Sequence, residues 1–94
     1  MSNEQTVQIG DDELRFDIGV TEVNDYFDDT MPDKKIQPAW NLLATTVVTE
    51  DKELLKELLT VDDIPNGAMV MGVVGVLIQQ YNSGAKISLK KPSQ

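Results

Sequence analysis

An uncharged apolar segment near the end of the chain limits the fold more than any other feature. Residues 67–78 read GAMVMGVVGVLI, and a helix formed by them is apolar around its whole circumference. The segment is shorter than the roughly 20 residues that cross a bilayer. A helix that is apolar on every side must be enclosed, either by its own domain or by a partner. We therefore predict the central helix of a small core, and a face open to a partner or to a second copy is the alternative.

Small and flexible residues in this segment would suit a face that is open to a partner or to a second copy. Ala68, Gly72 and Gly75 would let another helix approach closely, although each glycine lowers helix stability by about 1 kcal/mol relative to alanine. We expect packing to offset that loss. Met69 and Met71 are adaptable apolar side chains, so we regard both as candidate partner contacts.

The first part of the chain has the pattern of a β-hairpin. Residues 6–18 read TVQIGDDELRFDI, where apolar side chains alternate with polar ones on both sides of a Gly-Asp-Asp turn. Period-two spacing around such a turn predicts two strands with one buried face. Residues 85–91, AKISLKK, alternate in the same way at Ile87 and Leu89 and are a candidate third strand.

Four helices are expected after the hairpin. Thr21 would cap the first helix, which Pro32 would end. Pro38 suits the first position of the second helix, and Thr49 would cap the third at a tight corner. A turn leads into the fourth helix, over residues 67–82.

The length and composition of the chain support one domain. A chain of 94 residues with 40% apolar content can bury one core, and it carries no repeat, linker or low-complexity tract. We predict a single α+β domain over residues 1–94, with residues 1–5 and 92–94 as loose termini. It would consist of a β-hairpin followed by a bundle of about four helices.

Two aromatic residues are further candidate contacts. Trp40 shares a helical stripe with Leu43, Ala44 and Val47, which favours its burial, whereas exposed tryptophans often anchor protein interfaces. Tyr81 follows the apolar segment on the predicted fourth helix. We regard Trp40 and Tyr81 as candidate partner contacts.

The absence of two residue types narrows the possible chemistry. The chain contains no cysteine and no histidine, which removes disulfides, thiolate nucleophiles and the commonest ligands of zinc, copper and iron. Paired aspartates invite a calcium site, yet residues 62–73 fail as an EF-hand because Ile64 and Val73 occupy ligand positions. We expect no metal, no cofactor and no enzymatic activity.

The charge of the chain is −8 and is concentrated in its first third, where ten acidic residues precede residue 34 and Arg15 is the one basic residue. Asp25 and Asp29 follow Glu22 at helical spacing, and Asp28 lies beside them. This cluster is either an acidic docking patch or a solvated face. Direct binding to nucleic-acid phosphate would require a basic surface instead. The first ten residues lack a secretory signal, so we expect a cytoplasmic protein.

The order of these features resembles a family of small phage or prophage tail assembly chaperones. The hairpin is followed by VTEVNDYFDDTMPDKKIQPAWNLLATTVV, then by EDKELLKELL, and then by a turn into an apolar helix that ends in QQY. The similarity covers nearly all of the chain. It is most specific between Asn24 and Leu43.

The resemblance implies a protein that acts in the cytoplasm of an infected or lysogenic bacterium and is absent from the finished virion. Such chaperones coat the long, largely helical tape measure protein, prevent its aggregation and help to recruit tail tube subunits. We therefore predict binding of the tape measure protein through apolar helical surface, with a homo-oligomer as an open possibility. The candidate contacts are Trp40, Met69, Met71 and Tyr81, with Asp25, Asp28 and Asp29 as electrostatic guides.

Two other functions stay open at this point. The charge of −8 would suit an inhibitor that mimics nucleic acid and occupies a host DNA-binding protein, although some of the carboxylates lie in predicted turns. An enzyme that depends on carboxylates would need a concave pocket with two carboxyl groups of raised pKa.

Overall fold

A computed structural model describes residues 4–84. It contains an antiparallel β-hairpin followed by helices, which confirms the predicted α+β class. The candidate third strand, residues 85–91, and the end at 92–94 lie outside the described residues. The elements, in chain order, are β1 (Glu4–Ile9), β2 (Asp12–Asp17), α1 (Val20–Asp29), α2 (Ile36–Thr46), a 3₁₀ turn (Thr49–Asp51), α3 (Lys52–Leu59), β3 (Thr60–Val61), β4 (Ile64–Pro65) and α4 (Gly67–Gly84).

Strands β1 and β2 are joined by a two-residue turn at Gly10 and Asp11. Gly10 has φ of +61°, a conformation that glycine adopts without the strain a side chain would bring. Val7 pairs with Leu14, and both are buried, so one face of the hairpin packs on the core as predicted. Residues 4 and 5 belong to β1, although we expected them in a loose terminus.

The start of α1 differs from the prediction. The helix begins at Val20 with Gly19 as its N-cap, and Glu22 Oε1 accepts a hydrogen bond from the Gly19 N–H at 3.0 Å. Thr21 therefore lies inside the helix, and the prediction that it caps α1 was wrong. The helix ends at Asp29, before Pro32 as predicted.

The corner between α2 and α3 forms where the sequence predicts it, but without the predicted cap. Pro38 is the third residue of α2 rather than the first and still lies in its first turn. Thr49 is the first residue of the 3₁₀ turn, and the N-cap positions of that turn and of α3 are Val48 and Asp51. The prediction that Thr49 caps the third helix was therefore wrong.

The core lies where the hairpin, α2, α3 and α4 meet. Phe16 of β2, Leu43 of α2 and Leu59 of α3 are fully buried. Val47 lies just beyond α2 and forms a β-bridge with Phe16, whereas Ala44 of the predicted stripe is exposed. The buried apolar residues are Val7, Leu14, Phe16, Ile18, Val23, Ala39, Leu42, Leu43, Val47, Leu55, Leu59, Val70, Val73, Val74 and Leu77.

Among residues 4–84, helix α4 is enclosed on one face only. Val70, Val74 and Leu77 are buried, whereas Gly72 and Gly75 lie on the exposed face. A Cβ atom added at either glycine would meet no atom within 4 Å in the described part of the chain. The packing that we expected to offset the glycines is therefore missing among these residues.

The outer edge of β2 is tied to the α2–α3 corner by backbone and side-chain groups. Val48 donates its N–H to the Arg15 carbonyl at 2.9 Å, and the Arg15 N–H donates to Asp51 Oδ2 at 2.9 Å. The Arg15 guanidinium also donates to the Asp51 carboxylate, with an Nε–Oδ2 distance of 3.1 Å. Asp51 is buried, and the hydrogen bond from Arg15 lowers its pKa although desolvation opposes that shift.

The carboxylate of Asp51 should make stability depend on pH in the acid range. Because its pKa in the folded state lies below the unfolded value of about 3.9, its contribution is present above that pH and is lost as the pH falls through the folded pKa. We expect Asp51→Asn to lower the melting temperature by several degrees at pH 7 and to lose less stability than the wild type between pH 5 and pH 2. Circular dichroism melts measure both effects. Asp28→Asn, at an exposed carboxylate, is the control, and equal acid profiles for all three proteins would contradict the prediction.

An alanine at Gly75 should stabilise the free protein. The position is inside α4 and is exposed, and no atom of the part of the chain that the structure describes lies within 4 Å of an added Cβ. We expect Gly75→Ala to raise the free energy of unfolding by about 0.5–1 kcal/mol, because glycine loses more backbone entropy than alanine on helix formation. Urea denaturation measures the change. A clear loss of stability would contradict the open surroundings of this glycine.

Candidate functional site

A shallow apolar groove runs between strand β1 and helix α4. Its volume is about 240 Å³. We call it the β1–α4 groove; its lining residues are Val7, Gln8 and Ile9 of β1 and Ala68, Met69, Gly72, Val73 and Val76 of α4. All of these residues except Gln8 have apolar side chains or, at Gly72, no side chain. The groove therefore offers apolar surface to another polypeptide.

The wall formed by α4 is low because two of its residues are small. Ala68 and Gly72 lie four residues apart and therefore on one face of the helix. Val76 continues this row and is 40% exposed. Since no atom of the described residues would lie within 4 Å of a Cβ added at Gly72, that part of the chain leaves room for a second chain to come close to the helix backbone there.

The wall formed by β1 is a strand edge that carries backbone hydrogen-bonding groups. The N–H and C=O groups of Arg15 face away from β1 and bond to Asp51 and Val48. Arg15 and its cross-strand partner Thr6 are therefore a non-hydrogen-bonded pair, in which the N–H and C=O of Thr6 face away from β2. The Thr6 carbonyl accepts a hydrogen bond from Gln80 Nε2 at 3.2 Å. Gln8, two residues further along β1, points its N–H and C=O to the same edge. The groove therefore combines apolar side chains with an edge to which a strand can pair.

A second groove, between α1 and α2, is acidic. Its volume is about 380 Å³, and Glu22, Asp25 and Asp29 line its α1 side, while Asn41 and Thr45 are among the residues of its α2 side. The helical spacing seen in the sequence thus brings three carboxylates to one surface. This surface can attract cationic side chains.

A third groove follows the loop before α2 and has a volume of about 640 Å³. Lys34 and Lys35 lie at this groove, and Ile36 and Met71 supply apolar surface. Met71 therefore lies on a different side of α4 from Met69. Side chains at these two positions point about 160° apart around the helix axis.

The predicted contact residues do not form one continuous surface. Met69 lines the β1–α4 groove, whereas Trp40 and Tyr81 are half-buried and pack against the core. Asp25 and Asp29 line the acidic groove, and Asp28 is exposed but is not among the residues that line it.

Sequence reasoning missed the strand side of the β1–α4 groove and several exposed apolar residues. The contacts of Val7 and Ile9 with α4 join residues about sixty positions apart, for which a single sequence carries no signal. Phe27 of α1 is 56% exposed. The other large apolar side chains exposed to solvent are Val20, Met31, Ile36, Val61, Ile64 and Val76.

The described residues have no features of a metal centre or a membrane span. Within residues 4–84, no three acidic side chains are grouped so that they could hold a metal ion. No helix in the same range is both long enough and apolar enough to span a bilayer.

A comparison with protein families identifies the chain. The sequence model of the family described as phage tail assembly chaperone matches residues 5–91, a range that includes nearly all of β1 and every later element. No curated protein and no solved structure was found to match the chain. The match confirms the resemblance seen in the sequence. The chain therefore belongs to the phage tail assembly chaperone family.

Proposed function

We propose that this protein binds the tape measure protein of a phage tail, keeps it from aggregating during assembly, and does so without catalysis. The observation that carries this proposal is the β1–α4 groove, where apolar side chains stay accessible after the core has closed. Family membership supports a role in tail assembly over the nucleic-acid mimic and the carboxylate enzyme. The protein acts in the bacterial cytoplasm and leaves before the virion is complete.

The β1–α4 groove suits apolar side chains from an aggregation-prone client. Met69 can adapt its shape to different side chains, and Gly72 leaves room for a client backbone. Full burial of one leucine-sized side chain contributes about 1.5–3 kcal/mol before the costs of association are subtracted. A groove that holds a few such side chains binds weakly per copy, and many copies along a long client together keep it covered.

The charge of the chaperone supports this role in two ways. A net charge of −8 keeps a complex with an apolar client soluble. The acidic groove of Glu22, Asp25 and Asp29 attracts lysine and arginine side chains of the client and speeds its capture. Asp28, exposed on the same helix, adds to this field.

The remaining predicted contacts stay predictions. Met71 borders the groove at Lys34 and Lys35, where it is accessible to a client segment that carries acidic side chains. Trp40 and Tyr81 are half-buried, so a client would contact only part of each ring. Recruitment of tail tube subunits and formation of a homo-oligomer are likewise predictions from the family resemblance.

Co-expression with the tape measure protein of the same phage tests the proposal. We expect the wild type to hold the client in the soluble fraction and to co-purify with it at low salt. Gly72→Leu should lower the recovered client about tenfold or more, because its side chain fills the groove; a tenfold change corresponds to about 1.4 kcal/mol.

Gly75→Leu is the matched control, since it makes the same substitution at an exposed glycine of the same helix that does not line the groove. Circular dichroism establishes that both variants fold. Equal recovery of the client with both variants would remove the groove from the binding surface. A wild-type chaperone that leaves the client insoluble and uncaptured would refute the proposed function.

A further inference from the structure

We propose that two copies of this chain form a dimer in which the β3–β4 hairpin of each copy enters the groove at Lys34 and Lys35 of the other. We call residues 61–64 the β3–β4 tip, and the groove that receives them the lysine groove. The pairing concerns the free protein and does not rest on the binding of a client.

The β3–β4 tip exposes a pair of apolar side chains. Val61 and Ile64 are directly opposite each other in the antiparallel ladder, so their side chains lie on the same face of the hairpin. They are 62% and 67% exposed, which makes them the two most exposed large apolar side chains within residues 4–84. Neither residue lines the lysine groove of its own chain. The pair is therefore available to an apolar surface on another molecule.

The turn of the β3–β4 tip adds negative charge beside this apolar pair. Asp62 and Asp63 form a two-residue turn and have φ of +52° and +65°, as in a type I′ turn. Asparagine and glycine are preferred at these two positions, whereas the two aspartates place carboxylates there. A matching surface must therefore be apolar and positively charged.

The lysine groove has this combination. Ile36 and Met71 supply apolar surface, and the charged residues that line the groove are Lys34, Lys35 and the single carboxylate of Asp33. No carboxylate within residues 4–84 forms an ion pair with either lysine. Because a net charge of −8 opposes the association of two copies, a contact between them needs positive charge on one side. The lysine groove provides that charge for the β3–β4 tip.

The positions of the β3–β4 tip and the lysine groove favour a closed dimer over a growing chain of copies. Strand β4 ends at Pro65, two residues before the start of α4 at Gly67. A Cβ atom added at Gly67 would lie 2.6 Å from Ile36 Cδ1, and Met71 lies in the second turn of α4, so the groove borders the same end of the helix. A two-fold axis at this end can bring each tip to the groove of the other copy at the same time.

This dimer would leave the β1–α4 groove accessible in both copies. Met69 lines the β1–α4 groove and Met71 lines the lysine groove, and side chains at these two positions point about 160° apart around α4. Met71 then contacts the second copy rather than a client. Each dimer presents two β1–α4 grooves.

Sedimentation equilibrium of the full-length protein over a micromolar to millimolar range tests the pairing. We expect a monomer–dimer equilibrium for the wild type. Val61→Asp should raise the dissociation constant about tenfold or more, because each variant dimer buries two unpaired carboxylates. Val20→Asp is the matched control, since this valine of α1 is 61% exposed and the change in charge is the same. Circular dichroism establishes that both variants fold.

A second variant separates a lost contact from general repulsion. Asp62→Asn combined with Asp63→Gly keeps the type I′ turn, because Asn-Gly is its preferred sequence. The double variant also reduces the net negative charge of each copy, which by itself would strengthen association. We expect a several-fold weaker dimer instead, because Lys34 and Lys35 lose their partners. An unchanged or tighter dimer would overturn the pairing of charges.

Cross-linking identifies the two surfaces, because the chain has no cysteine of its own. A mixture of the Ile64→Cys and Lys34→Cys variants, treated with a short cysteine-reactive cross-linker, should give mainly the mixed dimer, which its mass distinguishes. Dimers of like variants in equal yield would overturn the proposed contact, as would a wild type that stays monomeric or grows beyond a dimer. Monomeric wild type that loses client capture with Val61→Asp would assign the β3–β4 tip to the client instead.

Discussion

The hydrogen bonds at the outer edge of β2 determine which edge of the hairpin stays accessible. A two-stranded hairpin is marginal by itself, and here Asp51 and Val48 bond both backbone groups of Arg15. That attachment fixes the hairpin on the α2–α3 corner and closes one of its two edges. The edge of β1 remains on the opposite side, where α4 passes. The β1–α4 groove is thus a consequence of how the hairpin is anchored.

Helix α4 has a buried apolar face that stabilises the fold and an exposed face that carries two glycines. The buried side chains of Val70, Val74 and Leu77 hold it against the core, while Gly72 and Gly75 on the opposite face lower its intrinsic stability. Nothing among the described residues packs on these glycines to offset that loss. A helix whose only task was to complete the core would be more stable with alanine at both positions. Of the two, Gly72 lines the β1–α4 groove and keeps its α4 wall low, which is the property that the proposed binding of a client uses.

Periodicity predicted the hairpin, the four helices and the apolar character of α4, because each depends on residues close together in the chain. The helix caps were predicted less well. Gly19 and Glu22 form the N-terminus of α1 in place of a Thr21 cap, and Thr49 begins a 3₁₀ turn instead of capping α3. The β1–α4 groove and the ion pair between Arg15 and Asp51 could not be predicted from the sequence. Both join distant parts of the chain, and a single sequence carries no pattern that pairs them.

Acidic charge and an accessible apolar groove complement one another in a protein of this size. An exposed apolar surface on a small monomer favours self-association, and a large net charge opposes it by repulsion between copies. Carboxylates at Asp11, Asp12 and Glu13 surround the hairpin turn, so the end of the β1 edge is itself flanked by negative charge. Two acidic edges repel each other, whereas a segment with apolar and basic side chains does not. In the proposed function, the same charge that suggested a nucleic-acid mimic therefore favours an apolar or basic client segment over an acidic one at the groove.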